Sequence, residues 1–174
     1  VVTKKVNEKT RILNSDLYGK SKYECENLFK KISKKIPVIS IRLPGVIGKN
    51  SVRNWLSNLI DDVKANRSIN VYNLDGFFNN TIHVNDLGKF ITKLINLEFK
   101  RFNKVCLATK KPIKICEIID LFKKFYKLEN EKINIKQTKK KNFLIDYSFA
   151  KKNFDYIPSS TKRSLIKFMK ENNF

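Results

Sequence analysis

Tyr18 and Lys22 are the residues of this sequence whose types and spacing best support chemistry. Positions four apart lie on one face of a helix, with Cβ atoms about 5–6 Å from each other. A phenol has a reference pKa of about 10 and is a poor base near neutral pH, but an adjacent ammonium favours the phenolate. The pair therefore predicts proton exchange with an alcohol or sugar oxygen, and the three N–H donors of the lysine can also hold ribose hydroxyls.

The same spacing has an alternative interpretation, because Tyr and Lys are common in this chain and a four-residue interval arises easily by chance. In that interpretation, Tyr18 packs on the core and Lys22 extends its amine to solvent. The two interpretations differ in geometry. The first requires an accessible tyrosine beside the amine, whereas the second requires a buried one.

A helix and a strand must position this pair. Apolar or aromatic residues recur at helical spacing from 17 to 36, and Pro37 ends the pattern; they are Tyr18, Cys25, Leu28, Phe29 and Ile32. The β-branched run 38–43 then predicts a largely buried strand that ends at Pro44. A helix followed by a strand is half of a βαβ unit.

The rest of the chain alternates between helical and extended patterns. It predicts helices over 52–65, 85–97, 113–126 and 160–171, and strands over 69–73, 77–84, 104–108 and 133–137. The helix over 85–97 is predicted to be capped by Asn85 or Asp86. The 5 glycines and 4 prolines form no linker, and no repeat is found. The sequence therefore predicts one compact α/β protein.

The chain carries 37 Lys and Arg against 16 Asp and Glu, a net charge of +21. Such a charge raises nucleic acid or an anionic membrane as partners. Most of it is lysine, however, in a chain also rich in Asn, Ile and Phe, which is the pattern of an A/T-rich genome. Nucleic-acid readers use Arg for base contacts and regularly spaced aromatic residues for stacking, and the sequence has neither. We interpret the charge as a solvated lysine coat and do not expect a nucleic-acid role.

Cys25, Cys106 and Cys116 form no C-x-x-C pair and have no histidine cluster beside them. A disulfide framework or a metal site is therefore not expected, and the cysteines are predicted to be small buried hydrophobes in a reducing, cytoplasmic protein. The most apolar stretch, 36–48, is shorter than the roughly 20 residues of a membrane-spanning helix, so no membrane partner is expected. Because the chain opens on Val1 rather than Met, an upstream part is expected and a signal peptide stays open.

Four segments occur in an order that resembles one enzyme family. They are the Tyr-x-x-x-Lys helix, Arg42-Leu43-Pro44-Gly45-Val46-Ile47-Gly48, Thr81-Ile82-His83-Val84-Asn85-Asp86-Leu87, and Ile145-Asp146-Tyr147-Ser148-Phe149-Ala150-Lys151 with Tyr156 and Pro158. This succession resembles the extended short-chain dehydrogenase/reductases, the NAD-dependent epimerase/dehydratase family. The resemblance covers 14–171, nearly the whole chain.

The resemblance implies the C-terminal part of a Rossmann-type NAD(P)-binding domain over 1–50. A small α/β substrate-binding domain is implied over 51–174, with some segments returning to the Rossmann part. The implied activity is that of an epimerase, dehydratase or 4-ketoreductase on a nucleotide sugar, by transient oxidation at C4 or reduction of a ketone there. The implied cofactor is NAD or NADP, whose nicotinamide exchanges hydride while a tyrosine exchanges the proton. Family members often form homodimers through the helix that carries this tyrosine.

The resemblance also assigns roles to individual residues. Tyr18 is implied as the catalytic acid/base, and Lys22 as its electrostatic partner. The implied cofactor-binding residues are Tyr18, Lys22, Leu43, Pro44 and Gly45, and the implied substrate-binding residues are Asn54, Tyr72 and Asn79.

The sequence departs from the family's pattern in its phosphate-binding and catalytic parts. The Gly-rich G-x-x-G-x-x-G turn is absent, and the Ser or Thr that completes the catalytic triad would lie before Val1. Asn79 stands where many relatives have an arginine for the diphosphate, and Gly45 where they often have Asn. The chain is therefore interpreted as a C-terminal fragment that we expect to be inactive by itself.

Two other functions stay open. One is a non-catalytic basic binding module on the same scaffold. The other is a family member that senses a dinucleotide or scaffolds a complex without redox chemistry, although the presence of both Tyr18 and Lys22 speaks against it.

The remaining conspicuous residues are predicted to be structural. His83, the sole histidine, lies where a strand meets a helix and is expected to bond nearby backbone groups. Asp86 is expected to be a helix-terminus carboxylate rather than an acid catalyst. Trp55 and the pair Phe77 and Phe78 are expected in the core rather than as platforms for bases.

Overall fold

The computed structural model describes residues 4–12, 16–136, 138 and 142–173 of the chain. The strands are β1 (Lys4–Val6), β2 (Val38–Arg42), β3 (Gly45–Ile47), β4 (Ile69–Tyr72), β5 (Phe77–Phe78), β6 (Thr81–His83), β7 (Phe102–Cys106), β8 (Ile113–Lys114), β9 (Ile133–Lys136) and β10 (Phe143–Ile145). The helices are α1 (Leu17–Ile32), α2 (Trp55–Lys64), α3 (Val84–Ile95), α4 (Ile115–Tyr126), α5 (Ser148–Phe154) and α6 (Thr161–Glu171), with a 3₁₀ turn at Asn130–Lys132.

Strands pair mostly in parallel, and helices connect them. The pairs β1–β10, β2–β7, β3–β6 and β4–β9 are parallel, and β5–β8 is antiparallel. The longest register runs from Val38 opposite Phe102 to Arg42 opposite Cys106. Parallel strands need crossover connections, which the helices between them provide. The predicted α/β class is confirmed.

Two hydrophobic clusters hold these elements together. The first joins α2, α4 and α6 to β3 and β4, around Phe122 and Phe168, which are 0% and 1% exposed. The second joins α3, α5, β6 and β7, around Val105 and Leu107. Trp55 packs edge-on against Phe78 beside the first cluster, with ring centroids 5.3 Å apart, as expected for core residues. The prediction that Phe77 also lies in the core is wrong, because its side chain points away from the cluster and is 41% exposed. The domain boundary between 50 and 51 stays a prediction.

α1 is attached to β2 by charge more than by apolar packing. Asp16 caps its N-terminus by accepting a hydrogen bond from the Gly19 N–H at 2.7 Å. Glu26 is the buried residue of this helix, and it pairs with Arg42 of β2 at 2.8 Å. The apolar residues Leu28 and Phe29, by contrast, are 57% and 51% exposed. Periodicity identified an apolar face, but within the described residues no element covers it, and the strand behind it is only half-buried.

Other differences from the expected elements have local causes. The predicted strand 77–84 is divided into β5 and β6, because Asn79 turns inward and bonds other segments. The cap of α3 is His83 and not Asn85 or Asp86, since the His83 Nδ1 accepts from the Asn85 N–H at 3.2 Å. The prediction that all three cysteines are buried is wrong for Cys25, which lies on the exposed face of α1.

Short elements were not predicted at all. They are β1, β3, β8, β10 and α5, each between two and seven residues long. None of the helices in the described ranges is both long and apolar enough to cross a bilayer.

Candidate active site

The structure brings Tyr18 and Lys22 together on the first turns of α1. The Lys22 Nζ lies 5.2 Å from the centre of the Tyr18 ring, so the two groups occupy the same side of the helix. Tyr18 is 70% exposed and does not pack in the core. This geometry matches the interpretation in which the tyrosine is accessible beside the amine. The roles of the two residues stay predictions.

A cavity of about 640 Å³ opens beside this pair, which we call the α1–β2 cavity. Tyr18 and Lys22 line one wall, and β2 with Leu43 lines the other. Leu43 is 49% exposed, while Pro44 and Gly45 behind it are half-buried. The Gly45 carbonyl accepts a hydrogen bond from the Thr81 Oγ1 at 2.9 Å, which fixes the turn after β2 against β6. The site is therefore bounded by one rigid strand and one exposed helix.

Glu26 is the common partner of the charged side chains beneath this cavity. Its carboxylate accepts from the Arg42 Nε at 3.0 Å and from the Ser40 Oγ at 3.2 Å, and the Lys104 Nζ lies 3.7 Å away. Burial acts to raise the pKa of Glu26, but the hydrogen bond and charge of Arg42 outweigh it and hold this pKa below its ordinary value. The sequence reasoning missed this pair. Two features of the sequence could have indicated the pair: Arg42 is a charged residue inside an apolar strand, and Glu26 is a carboxylate four positions beyond Lys22 on the same helix.

Glu8 closes the end of β7. Its Oε1 accepts from the Cys106 N–H at 2.7 Å. Burial, together with this carboxylate, raises the pKa of the Cys106 thiol to about 12. Cys106 is thus a neutral thiol at physiological pH and not a nucleophile.

A second cavity, of about 540 Å³, is mostly aromatic, and we call it the aromatic cavity. Its lining includes Trp55, Tyr72, Phe77, Phe78 and Asn80. Tyr72 is 44% exposed at the end of β4. Gly76 lies at the turn beside it, where a Cβ would lie 1.9 Å from the Asn142 Nδ2 and would require the Asn142 side chain to move. Among the residues that the structure describes, no member of the lining is charged, so flat uncharged groups are what these residues accommodate best.

Asn54 and Asn79, two predicted substrate-binding residues, both use their amides within the protein. Asn54 caps α2 by accepting from the Ser57 N–H at 3.0 Å, and its Nδ2 donates to the Val46 carbonyl at 3.2 Å. Asn79 is 2% exposed and bonds both backbone groups of Ile145, donating at 2.8 Å and accepting at 2.9 Å. Asn79 therefore fixes β10, a role that sequence reasoning did not find. Whether either residue touches substrate stays a prediction.

His83 bonds a nearby backbone group, as the sequence suggested, whereas Asp86, in the first turn of α3, bonds a residue far along the chain. His83 is 2% exposed, and its Nε2 lies 3.0 Å from the Glu171 Oε2 on α6. Because its Nδ1 accepts from a backbone N–H, the N–H of the ring is at Nε2 and points toward Glu171. Asp86 accepts from the Ser159 N–H at 2.8 Å and from its hydroxyl at 3.2 Å. Both residues tie α3 to the C-terminal segment.

Known proteins match this chain by structure only. No protein-family model matches it, and neither does any curated protein sequence. Among solved structures, a UDP-glucuronic acid 4-epimerase from Bacillus cereus in complex with NAD superposes with a TM-score of 0.79 at 16% identity. A dTDP-glucose 4,6-dehydratase from Bacillus anthracis in complex with NAD gives 0.78 at 14% identity. A UDP-glucose 4-epimerase from Bifidobacterium longum in complex with NAD⁺ and UDP gives 0.71 at 18% identity.

These matches cover nearly all of the chain but only part of each relative. The superposition with the Bacillus cereus epimerase includes 97% of this chain and 55% of the epimerase. With the dehydratase, the shares are 97% of this chain and 56% of the dehydratase. With the Bifidobacterium enzyme, they are 95% and 57%. The chain thus spans somewhat more than half the length of the enzymes it resembles. It has the α/β fold of the NAD-dependent nucleotide-sugar epimerases and dehydratases over that span.

Proposed function

We propose that this chain carries the acid/base part of the active site of an NAD(P)-dependent enzyme that acts on a nucleotide sugar as an epimerase, dehydratase or 4-ketoreductase. The observation that carries the proposal is the exposed Tyr18, with the Lys22 Nζ 5.2 Å from its ring, beside a cavity of about 640 Å³. The shared fold with NAD-bound epimerases supports it.

The residues of the α1–β2 cavity fit the nicotinamide and ribose end of a dinucleotide. The donors of Lys22 can hold two ribose hydroxyls. Tyr18 then accepts the proton of a sugar hydroxyl, or returns it to a ketone oxygen. When bound, the nicotinamide supplies hydride exchange at the same carbon. Leu43 lines the opposite wall, and we assign the turn that it forms with Pro44 and Gly45 to the side of the nicotinamide ring.

The aromatic cavity is proposed for the nucleotide part of the substrate. Trp55, Tyr72 and Phe77 offer flat faces to a base, and none of the lining residues in the described ranges is charged. Asn54 lies at the N-terminus of α2, where backbone N–H groups favour a diphosphate. Asn79 is already bonded to β10, so we assign it an indirect role in shaping this cavity.

Substitution of Tyr18 in the full-length enzyme tests the proposal. With a panel of UDP-glucose, UDP-glucuronic acid and dTDP-glucose as substrates, Tyr18→Phe should lower kcat by about 10²–10⁴-fold and leave KM and folding nearly unchanged. Tyr23→Phe is the matched control, because Tyr23 is a second exposed tyrosine of the same helix and cavity but has Asn27 rather than a lysine four residues after it. A Tyr18→Phe enzyme with wild-type turnover would refute the role.

The 174-residue chain alone is proposed to be inactive. It lacks the Gly-rich turn that binds the dinucleotide phosphates, so only part of the cofactor could be held. Isothermal calorimetry with NAD and NADP should therefore detect no binding at micromolar concentrations. Stoichiometric binding with a micromolar Kd would show that the site is complete without that turn.

A further inference from the structure

A basic groove lies outside the two cavities of the proposed active site. It consists of two adjoining depressions, of about 510 and 490 Å³, that share Ser160 and Arg163. The first is bounded by α3, by Lys110 and Lys111, and by the segment before α6. The second runs along α6 itself. Neither depression shares a lining residue with the α1–β2 cavity or the aromatic cavity.

Positive charge is concentrated in this groove rather than spread evenly over the cavities. The α1–β2 cavity has Lys22 and Arg42 against Glu26, and the described lining of the aromatic cavity has no charged residue. The basic groove has only Asp86 and Asp155 as acidic lining residues, against eight basic ones: Lys89, Lys93, Lys110, Lys111, Lys162, Arg163, Lys167 and Lys170. A uniform lysine coat, which the sequence suggested, does not produce this contrast.

The acidic residues of the groove are already occupied. Asp155 pairs with Lys93 at 2.7 Å, and Asp86 accepts two hydrogen bonds from Ser159. Outside the groove, Glu171 reaches Lys167 at 3.7 Å. Within the described part of the chain, the other six cations form no ion pair: Lys89, Lys110, Lys111, Lys162, Arg163 and Lys170. Their summed positive potential in a concave surface raises the local concentration of anions.

The spacing along α6 suits more than one phosphate. Residues 162 to 170 extend over about 12 Å of helix, and one strand of a duplex carries a phosphate about every 3.4 Å along its axis. The aromatic rings at the groove, Phe90 and Tyr156, are 3% and 1% exposed and belong to the second hydrophobic cluster. No stacking face is therefore offered, and the contacts available are to charge and not to bases.

We infer that the basic groove binds a chain of consecutive phosphates, supplied by single-stranded nucleic acid or by inorganic polyphosphate. The groove takes the backbone without reading sequence. This inference does not depend on the proposed function, because the two sites share no residue.

Binding of fluorescein-labelled dT12 to the 174-residue chain, measured by anisotropy at several NaCl concentrations, tests the inference. A groove variant replaces three cations by Gln: Lys110→Gln, Lys111→Gln and Arg163→Gln. A control variant removes the same charge from exposed positions near the end of α1: Lys30→Gln, Lys34→Gln and Lys35→Gln.

For the groove variant, the slope of log K against log[NaCl] should be shallower by about 2, since each lost phosphate contact contributes about 0.7. The control variant should keep the wild-type slope, and dA12 should bind as tightly as dT12. Inorganic polyphosphate of equal charge is the competitor, and its affinity relative to dT12 identifies the source of the phosphates. Equal losses in both variants would overturn the inference, as would binding to phosphatidylserine vesicles but not to dT12.

Discussion

Replacing Glu26 by Gln should detach α1 from β2, and with it the proposed catalytic pair. The substitution keeps the size of the side chain but removes the charge that Arg42, Ser40 and Lys104 share. Breaking a buried ion pair costs about 3–5 kcal/mol, because the remaining charge is stranded. The Arg42 side chain is 24% exposed and recovers some water, so we expect a loss of about 2–3 kcal/mol in the free energy of unfolding.

Urea unfolding at pH 7, followed by far-UV circular dichroism, measures this loss. Glu24→Gln is the matched control, since Glu24 is an exposed glutamate on the same helix. It should change the free energy of unfolding by at most about 0.5 kcal/mol. If the two variants unfold at the same urea concentration, the Glu26–Arg42 pair does not hold the helix.

The Glu26 contribution should also depend on pH. Because its pKa is lower in the folded state than in the unfolded chain, its stabilisation is complete above the unfolded pKa of about 4.3 and disappears as pH falls through the folded pKa. The difference between wild type and Glu26→Gln should therefore shrink between pH 5 and about 3. A difference that stays constant over this range would mean that the carboxylate charge is not what stabilises the junction.

Three further substitutions test the packing around the site by urea unfolding. Asn79→Ala removes the partners of both Ile145 backbone groups and should cost about 2–3 kcal/mol; a loss below 1 kcal/mol would mean that water replaces the amide. Tyr156→Phe removes only the hydroxyl that donates to the Ala108 carbonyl at 3.0 Å, and we expect a loss of about 1–2 kcal/mol, with no loss contradicting a buried hydrogen bond. Phe122→Ala should lower the free energy of unfolding by about 3–5 kcal/mol, because Phe122 is 0% exposed in the first cluster. A loss below about 2 kcal/mol would indicate that neighbouring side chains move to fill the cavity.

The sequence predicted the elements whose apolar residues recur at a regular helical or strand spacing. α1, α2, α4 and α6 were expected within a few residues of their observed bounds, and so was β2. Their apolar spacing is a local property that survives in the folded chain. The motif order around Tyr18 and Lys22 likewise predicted a fold that the solved structures share.

The sequence could not predict features that depend on partners far along the chain. Asn79 divides a strand because Ile145, 66 positions away, offers both backbone groups to it. His83 displaces the expected Asx cap because Glu171 orients its ring from α6. β10 is three residues long and carries too little periodicity to be recognised without the strand it pairs with.

The position of His83 gives the protein a built-in spectroscopic reporter. Since the sequence has a single histidine, its imidazole nitrogens produce one pair of signals in a long-range nitrogen-15 NMR spectrum. The hydrogen bonds at both ring nitrogens select the Nε2–H tautomer. Any ligand or substitution that separates α3 from α6 would break the hydrogen bond to Glu171 and change the tautomer equilibrium of His83. The contact between α3 and α6 can therefore be followed through the signals of this one residue.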